Sequence, residues 1–197
     1  NNEDIMRMCR ARIRVPDQWY GDYLAGLGSA RIAERRLEAF CEKYGKDTVK
    51  AFMREWFDYS ERRMVDNIKR LPKASLVNKG RSDPLEGLLP DGLELTVKID
   101  IDPDEGNIHV DLRDNPPSVD AGLNTSLGSA TSAVVGAIFN ALDKDLPRNE
   151  GAFRRLHFQY AEDSVVAAPT FPHSCSVSTT NVSERLVNIT QSAFAQL

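Results

Sequence analysis

The residues best suited to chemistry lie between Asp111 and Asn124, in the run Asp-Leu-Arg-Asp-Asn-Pro-Pro-Ser-Val-Asp-Ala-Gly-Leu-Asn. Carboxylates at Asp111, Asp114 and Asp120 and carboxamides at Asn115 and Asn124 fall between the end of an expected strand and the start of an expected helix. At such a junction, backbone N–H groups and the helix dipole can hold an anion or a polarised carbonyl. Turn formation and helix capping use the same residue types, so both readings stay open.

The histidines offer less. His109 and His157 each alternate with apolar neighbours and are expected to face solvent from strands. His173 and Cys175 form a His-x-Cys pair, but two ligands without a third nearby make a poor metal site. Asp100, Asp102, Asp104 and Glu105 crowd one turn, where Pro103 and the lack of a twelve-residue ligand pattern favour a solvated turn over a calcium loop. The phosphate loop, the dinucleotide turn, the nucleophile elbow and the paired-histidine zinc helix are all missing from the sequence. Gly26-Leu27-Gly28 sits in a helical pattern, where its glycines suit close helix packing better than a phosphate cradle.

Composition narrows the class. Hydrophobic residues make up 41% and charged residues 27% of 197, as in a folded globular chain. The net charge is −4, and the basic clusters Arg31/Arg35/Arg36 and Arg62/Arg63 are interleaved with Glu34, Glu38 and Glu61 at helical spacing. That pattern describes a solvated face, so nucleic acid is not an expected partner. Cys9, Cys41 and Cys175 are too widely spaced for a zinc ribbon or a disulfide framework, which fits a cytoplasmic location. No apolar run reaches the roughly 20 residues of a membrane span. The sequons at Asn124, Asn181 and Asn188 are therefore read as chance matches. The chain lacks an initiator Met and ends on what reads as an unfinished amphipathic helix, so an internal segment of a longer subunit is expected.

The elements that must position these residues follow from periodicity. Residues 1–20 show no clear period, and a helix is expected to start near Trp19–Asp22. It carries Leu24, Leu27, Ala30, Leu37, Phe40, Cys41 and Tyr44 before a stop at Gly45. A second helix, capped by Asp47 or Thr48, presents Val49, Phe52, Met53, Trp56, Ser60, Met64, Ile68 and Leu71 up to Pro72. Joined so closely, the two are expected to form an antiparallel helical hairpin. Ser75–Asn78 reads as a short strand and residues 80–92 as a loop. Leu93, Leu95, Val97 and Ile99, then Ile108, Val110 and Leu112, alternate about a turn at residues 103–106, giving a β-hairpin. Thr125 or Ser126 caps a helix with Ala130, Ala133, Val134, Ala137, Ile138, Ala141 and Leu142 on one side, its small residues suited to packing on a sheet. Leu156, Phe158 and Tyr160 form another strand, Val165–Ala168 a short apolar run, and Ser183 opens a last helix. The fold class is α+β: a helical hairpin region over 1–72, then a mixed β-sheet with packed helices over 73–197, or one continuous domain.

Several stretches, in order, resemble the hydantoinase B/oxoprolinase family. Arg12-Ile-Arg14-Val-Pro16-Asp-Gln-Trp-Tyr-Gly21-Asp22 is similar to the family's R-x-P-x-x-x-x-G-D opening. Glu34-Arg-Arg-Leu37, Tyr44-Gly45, Tyr59-Ser-Glu61-Arg62-Arg63-Met64, Leu71-Pro72, Ile108-His-Val-Asp111-Leu112, Gly122-Leu-Asn124 and Pro147-Arg-Asn149-Glu-Gly151 follow in family order. No one of these motifs is specific; the ordered set carries the resemblance, over nearly the whole chain.

The resemblance implies a segment of a B-type subunit of an ATP-dependent enzyme hydrolysing cyclic amides such as hydantoins or 5-oxoproline, in a hetero-oligomer. ATP would be bound by a hydantoinase A-type partner, which phosphorylates an amide or enol oxygen. The small-molecule intermediate, kept from water, is then hydrolysed or, in acetone and acetophenone carboxylases, carboxylated. A divalent metal is expected in the flanking Asn-Asp-Pro-Tyr and Gly-Gly-x-His stretches, with none in this segment. No catalytic residue is assigned; Asp111, Asn124 and Asn149 are the candidates for lining the substrate site and orienting its carbonyls. A ketone carboxylase subunit and a non-catalytic scaffold, the latter for residues 20–72, are the alternatives. The family often continues the Asp111 strand as Asp-Phe-x-Gly-Thr/Ser, where this chain has Leu112, Arg113, Asp114 and Asn115, and small residues are usual at the position of His173. If that loop lines the site, the substrate differs from the commonest hydantoins.

Overall fold

Alternation of apolar and polar residues builds the sheet. In the computed structural model, which describes residues 2–197, four strands form: β1 (Ala74–Arg81), β2 (Glu94–Asp102), β3 (Asn107–Asp111) and β4 (Leu156–Gln159). They lie in the order β1-β2-β3-β4, the first three antiparallel and β4 parallel to β3, so the sheet is mixed as expected. Leu95, Val97, Ile99 and Ile101 of β2 and Ile108 and Val110 of β3 are buried, each worth about 1.5–3 kcal/mol when fully removed from water. β1 is longer than Ser75–Asn78 because its register on β2 runs from Ala74 to Arg81.

The acidic turn between β2 and β3 is held by its own chemistry. Asp102 Oδ1 accepts from the Asp104 and Glu105 N–H groups at 3.1 and 3.3 Å, an Asx turn. Gly106 follows at φ +67, where a side chain would be strained and its Cβ would meet Val65 at 2.9 Å.

A parallel pair requires a long crossover, supplied here by α4 (Leu127–Ala141) and α5 (Glu150–Phe153). α4 packs closely against α6 (Val182–Phe194), and α6 in turn lies on β1 and β2. Ser126 caps α4, its hydroxyl accepting from the Ser129 N–H. Ala130, Ala133, Val134, Ala137 and Ile138 join one core with the sheet and with Leu186, Ile189 and Ala193 of α6. On the sheet's other face, Ser75, Asp100, His109 and His157 fall in one register row, all exposed. The two imidazoles stack with centroids 4.8 Å apart. Burial, then His109 and Arg155, hold His157 below the usual histidine range.

The chain divides into two compact units, residues 1–55 and 56–197, and the sheet belongs to the second. The division falls inside α3 (Lys46–Ile68), whose later turns give Ser60, Met64, Asn67 and Ile68 to the second unit's buried residues.

The first unit holds two corrections to the expected helices. The stretch before Pro16 is helical over much of its described length: α1 (Glu3–Arg12) is capped by Asn2, whose Oδ1 accepts from the Asp4 and Ile5 N–H groups. Pro16, with its preset φ, starts α2 (Pro16–Tyr44) a turn before Trp19. Within the first unit, α2 and the opening turns of α3 do not fold back on each other as an antiparallel hairpin. Gly45 is their only connecting residue; its N–H donates to Cys41 and its carbonyl accepts from Val49. A reversal of helices needs about two to five residues of loop. The expected aromatic seam is therefore not a core: no residue of α2 is buried, and Phe52 and Met53 are exposed. Gly26 and Gly28 have no neighbour close enough for a tight helix contact.

Candidate functional site

Two loops leave the carboxyl ends of the parallel pair and are fastened to each other. The first runs from Leu112 to Ser126 into α4, and the second from Tyr160 to Asn181 into α6. Ser118 and Val165 N–H groups donate to Asp163 and Pro116 carbonyls at 3.0 Å, and Val177 donates to Gly122 at 2.9 Å. Thr125, fully buried, donates both its N–H and its hydroxyl to the Val165 carbonyl while its Oγ1 accepts from Ala167. Ala167 holds φ +78, a conformation rare for a residue with a Cβ.

Asn124 is the main fastener. Its side chain is fully buried; Oδ1 accepts from Val119 N–H at 2.8 Å, and Nδ2 donates to Val119, Ala121 and Ser174 carbonyls at 2.9, 2.8 and 3.0 Å. Asn115 acts as a surrogate peptide group. Its amide exchanges hydrogen bonds with Thr96 N–H and C=O, both 2.9 Å, continuing β2's ladder past the end of β3.

Asp111 sits at the last position of β3, half-buried, and both of its carboxylate oxygens accept from the Arg113 guanidinium at 2.9 Å. That contact holds the carboxyl below its usual range against the opposing effect of burial. Asn149 caps α5: Oδ1 accepts from Gly151 N–H at 3.0 Å and Nδ2 donates to Ser60 Oγ at 2.8 Å. Asp111, Asn124 and Asn149 thus sit in three separate hydrogen-bonded clusters, with no bond joining one to another.

A cleft opens where the two loops end. The first turns of α4 and α6 border a shallow depression of about 640 Å³, open to solvent and lined by Ser129, Ser132, Thr180, Ser183, Glu184 and Asn188, among others. A smaller pocket of about 220 Å³ shares Thr180, Glu184 and Asn188 and adds Asp83 and Arg185. Asn181 stands at the N-cap of α6 without a side-chain capping bond, and a 3-10 turn, Ser178–Thr180, runs directly into it. The first N–H groups of a helix have no partner inside it, so this end offers donors and positive potential to the cleft. Hydroxyls can donate or accept, and Glu184 supplies an accepting carboxylate. Opposed donors and an acceptor suit a neutral polar ligand.

A model of the hydantoinase B/oxoprolinase family matches residues 1–197. The chain belongs to that family. It is similar to a putative B-type subunit of a D-/L-hydantoinase from Pseudomonas sp. (strain NS671), 29% identical over 179 residues, 87% of this chain and 30% of that protein. It is also similar to the beta subunit of the caprolactamase of Pseudomonas jessenii, 25% identical over 195 residues, 98% of this chain and 33% of that protein. The crystal structure of the ATP-dependent caprolactamase from that organism matches all of this chain with 33% of its own, at a TM-score of 0.80 and 25% identity. A nucleotide-free acetone carboxylase structure shares the fold, with a TM-score of 0.76 at 14% identity. The chain spans about a third of the length of the curated relatives it matches.

The hydantoinase B motifs read from the sequence now have physical contents. Gly122 lets the two loops touch, since a Cβ there would lie 2.2 Å from Ser176 Oγ, and Asn124 ties them. Asn149 and Gly151 dock α5 on α3: a Cβ on Gly151 would lie 2.0 Å from the Phe57 carbonyl oxygen. The sequence marks Ser183 only as a helix opener and does not single out Glu184 or the cleft, which exists because two helices distant in sequence start side by side. Among the described residues no group of three or more His, Cys, Asp or Glu is placed to hold a metal ion. His173 Nδ1 instead lies 3.0 Å from the Thr170 carbonyl. No helix among them is long and apolar enough to cross a membrane.

Proposed function

We propose that the chain works as part of the B-type subunit of an ATP-dependent enzyme that opens cyclic amides, alongside a hydantoinase A-type partner that binds the ATP. The observation that carries this reading is the match of the whole chain to a third of the ATP-dependent caprolactamase, reinforced by likeness to a B-type hydantoinase chain. The cleft agrees with it chemically. A cyclic amide presents a C=O and an N–H side by side, and the cleft sets helix-start donors and hydroxyls against the Glu184 carboxylate.

In this reading Asp111, Asn124 and Asn149 are positioning residues. Asn124 fixes the loops that lead to both helices, Asp111 fixes the start of the first loop through Arg113, and Asn149 seats the crossover on α3. A ketone carboxylase subunit is the competing reading, supported by 24% identity over 177 residues to the acetophenone carboxylase delta subunit of Aromatoleum aromaticum. A ketone would leave the cleft's acceptor unmatched. The deciding experiment is ATP turnover by the two-subunit complex. Phosphate release stimulated by a lactam or hydantoin supports the proposal, whereas stimulation only by a ketone with bicarbonate overturns it.

The helices of the first unit are assigned to subunit contact rather than to the substrate. Leu37, Phe40 and Tyr44 share one face of α2 and are 50–57% exposed, an apolar cluster of the kind that marks a contact surface.

A further inference from the structure

We propose that the free edge of β4 receives a further β-strand from the part of the subunit outside these 197 residues, an extended segment that lays apolar side chains into the groove between β4 and α4. The inference rests on membership of the family and not on the reaction assigned above. Two observations of different kinds meet at this edge. The first is the backbone. β4 ends the sheet and is bonded on one side only. The Arg155 and Gln159 carbonyls accept from the Ile108 and Leu112 N–H groups at 2.9 Å, so the alternation of a strand turns the N–H and C=O groups of Leu156 and Phe158 the other way. There they meet no partner among the described residues. The second is a groove of about 430 Å³ among α4, α5 and β4, with Val135, Phe139, Phe153, Leu156 and Phe158 in its walls. Val135, Phe153 and Phe158 pack on the core yet are only half-buried, so the core stands open at this end of the sheet.

Together the two observations select the occupant. An apolar small molecule would fill the groove and leave the edge's donors and acceptors unmet, and a helix spends its own N–H and C=O groups internally. An added strand satisfies both, bonding to Leu156 and Phe158 through its main chain and entering the groove with alternate side chains. Sheet edges that stay free are guarded by charged side chains or proline, as β1 at the opposite edge is by Lys79 and Arg81. The run Leu156-His-Phe-Gln159 has neither. A source for the strand exists. The chain spans 30% and 33% of the B-type hydantoinase and caprolactamase chains it resembles, so proteins of their length hold about two thirds of their residues outside this region.

Photo-crosslinking and amide exchange on the intact subunit, in complex with its partner, test this. Arg148 is exposed at the rim of the groove, and Arg148→p-benzoylphenylalanine places a photoreactive ring there without touching the core. The expected product is a cross-link within one polypeptide, from position 148 to a segment outside residues 1–197. In the unmodified subunit the Phe158 N–H is expected to exchange about a hundredfold or more slower than an unbonded amide, as its inward-facing neighbour Gln159 does. Both results are required. A product joining two copies would give the edge to a second copy, and one joining the partner chain would give it to that chain; either overturns the inference. So do cross-links confined to residues 1–197, the lack of any cross-link, and a Phe158 amide that exchanges as fast as an unbonded one. Turnover is untouched by any of these outcomes, so the cyclic-amide reading stands or falls separately.

Discussion

Asn124, a candidate for orienting a substrate carbonyl, is proposed above to act instead by positioning the loops. A carboxamide between a strand and a helix has the chemistry to orient a carbonyl, and here it does so, but the carbonyls belong to Val119, Ala121 and Ser174. Asn124→Ala would strand these groups in a fully buried position, at a cost of about 2–4 kcal/mol from lost and unsatisfied hydrogen bonds. A fall in the urea midpoint at unchanged m-value would register it, and turnover should fall with the loosened loops. Asn124→Asp keeps the size but loses the donors and buries a charge, so it should be at least as damaging. Little change in either variant would mean that the two loops hold together without Asn124. Asp111 differs, since it is half-buried and pairs with its own neighbour Arg113.

At the scale of elements, α5 is held by two small features. Gly151 lets its backbone approach Phe57, and a methyl group there would overlap the carbonyl oxygen, so Gly151→Ala should cost about 3 kcal/mol or more. A clear drop in Tm is the expected reading; an unchanged Tm would mean that α5 is not docked this closely. Beside it, Glu61 of α3 pairs with Arg154 and Arg155, the hydrogen bond from Arg154 being the main cause of its lowered pKa. A carboxyl lowered on folding contributes stability that is complete above its unfolded value, about 4.3, and is lost as pH falls through the folded value. Glu61→Gln should therefore be less stable than wild type at neutral pH, with the difference shrinking below about pH 4. Chemical denaturation at both pH values checks it, and a constant difference would contradict the assignment.

The same elements show what a sequence can disclose. Leu95, Val97 and Ile99 announced β2 because alternation and burial coincide on a strand with one covered face. The stripe from Leu24 through Trp56 is equally regular, yet it is exposed, because periodicity identifies an apolar face without saying what covers it. α1 escaped because its polar sequence buries nothing and rests on a cap at Asn2 and contacts with α2. Asn115 was legible as a loop residue, but its role depends on Thr96, brought beside it only by the folded hairpin.

For the whole molecule, the exposed apolar face of α2 carries the clearest expectation. The double variant Leu37→Asp, Phe40→Asp changes residues 52% and 57% exposed, so Tm should shift by no more than a few degrees. Co-elution with the proposed A-type partner in size-exclusion chromatography should nevertheless be lost. Retained co-elution would remove this face from the contact and leave its exposure unexplained.

The mixed sheet also sets an order of assembly. β1, β2 and β3 are successive neighbours, so their pairing closes only short loops, whereas β4 joins β3 only after α4 and α5 have been traversed. Closing the longer connection costs more entropy, so the meander of residues 74–111 is expected to gain amide protection first in pulse-labelled exchange. β4 would follow, and with it the second loop that Asn124 must grip. The cleft between the helix starts would then be among the last parts of the chain to form, making its integrity a report on the completed fold.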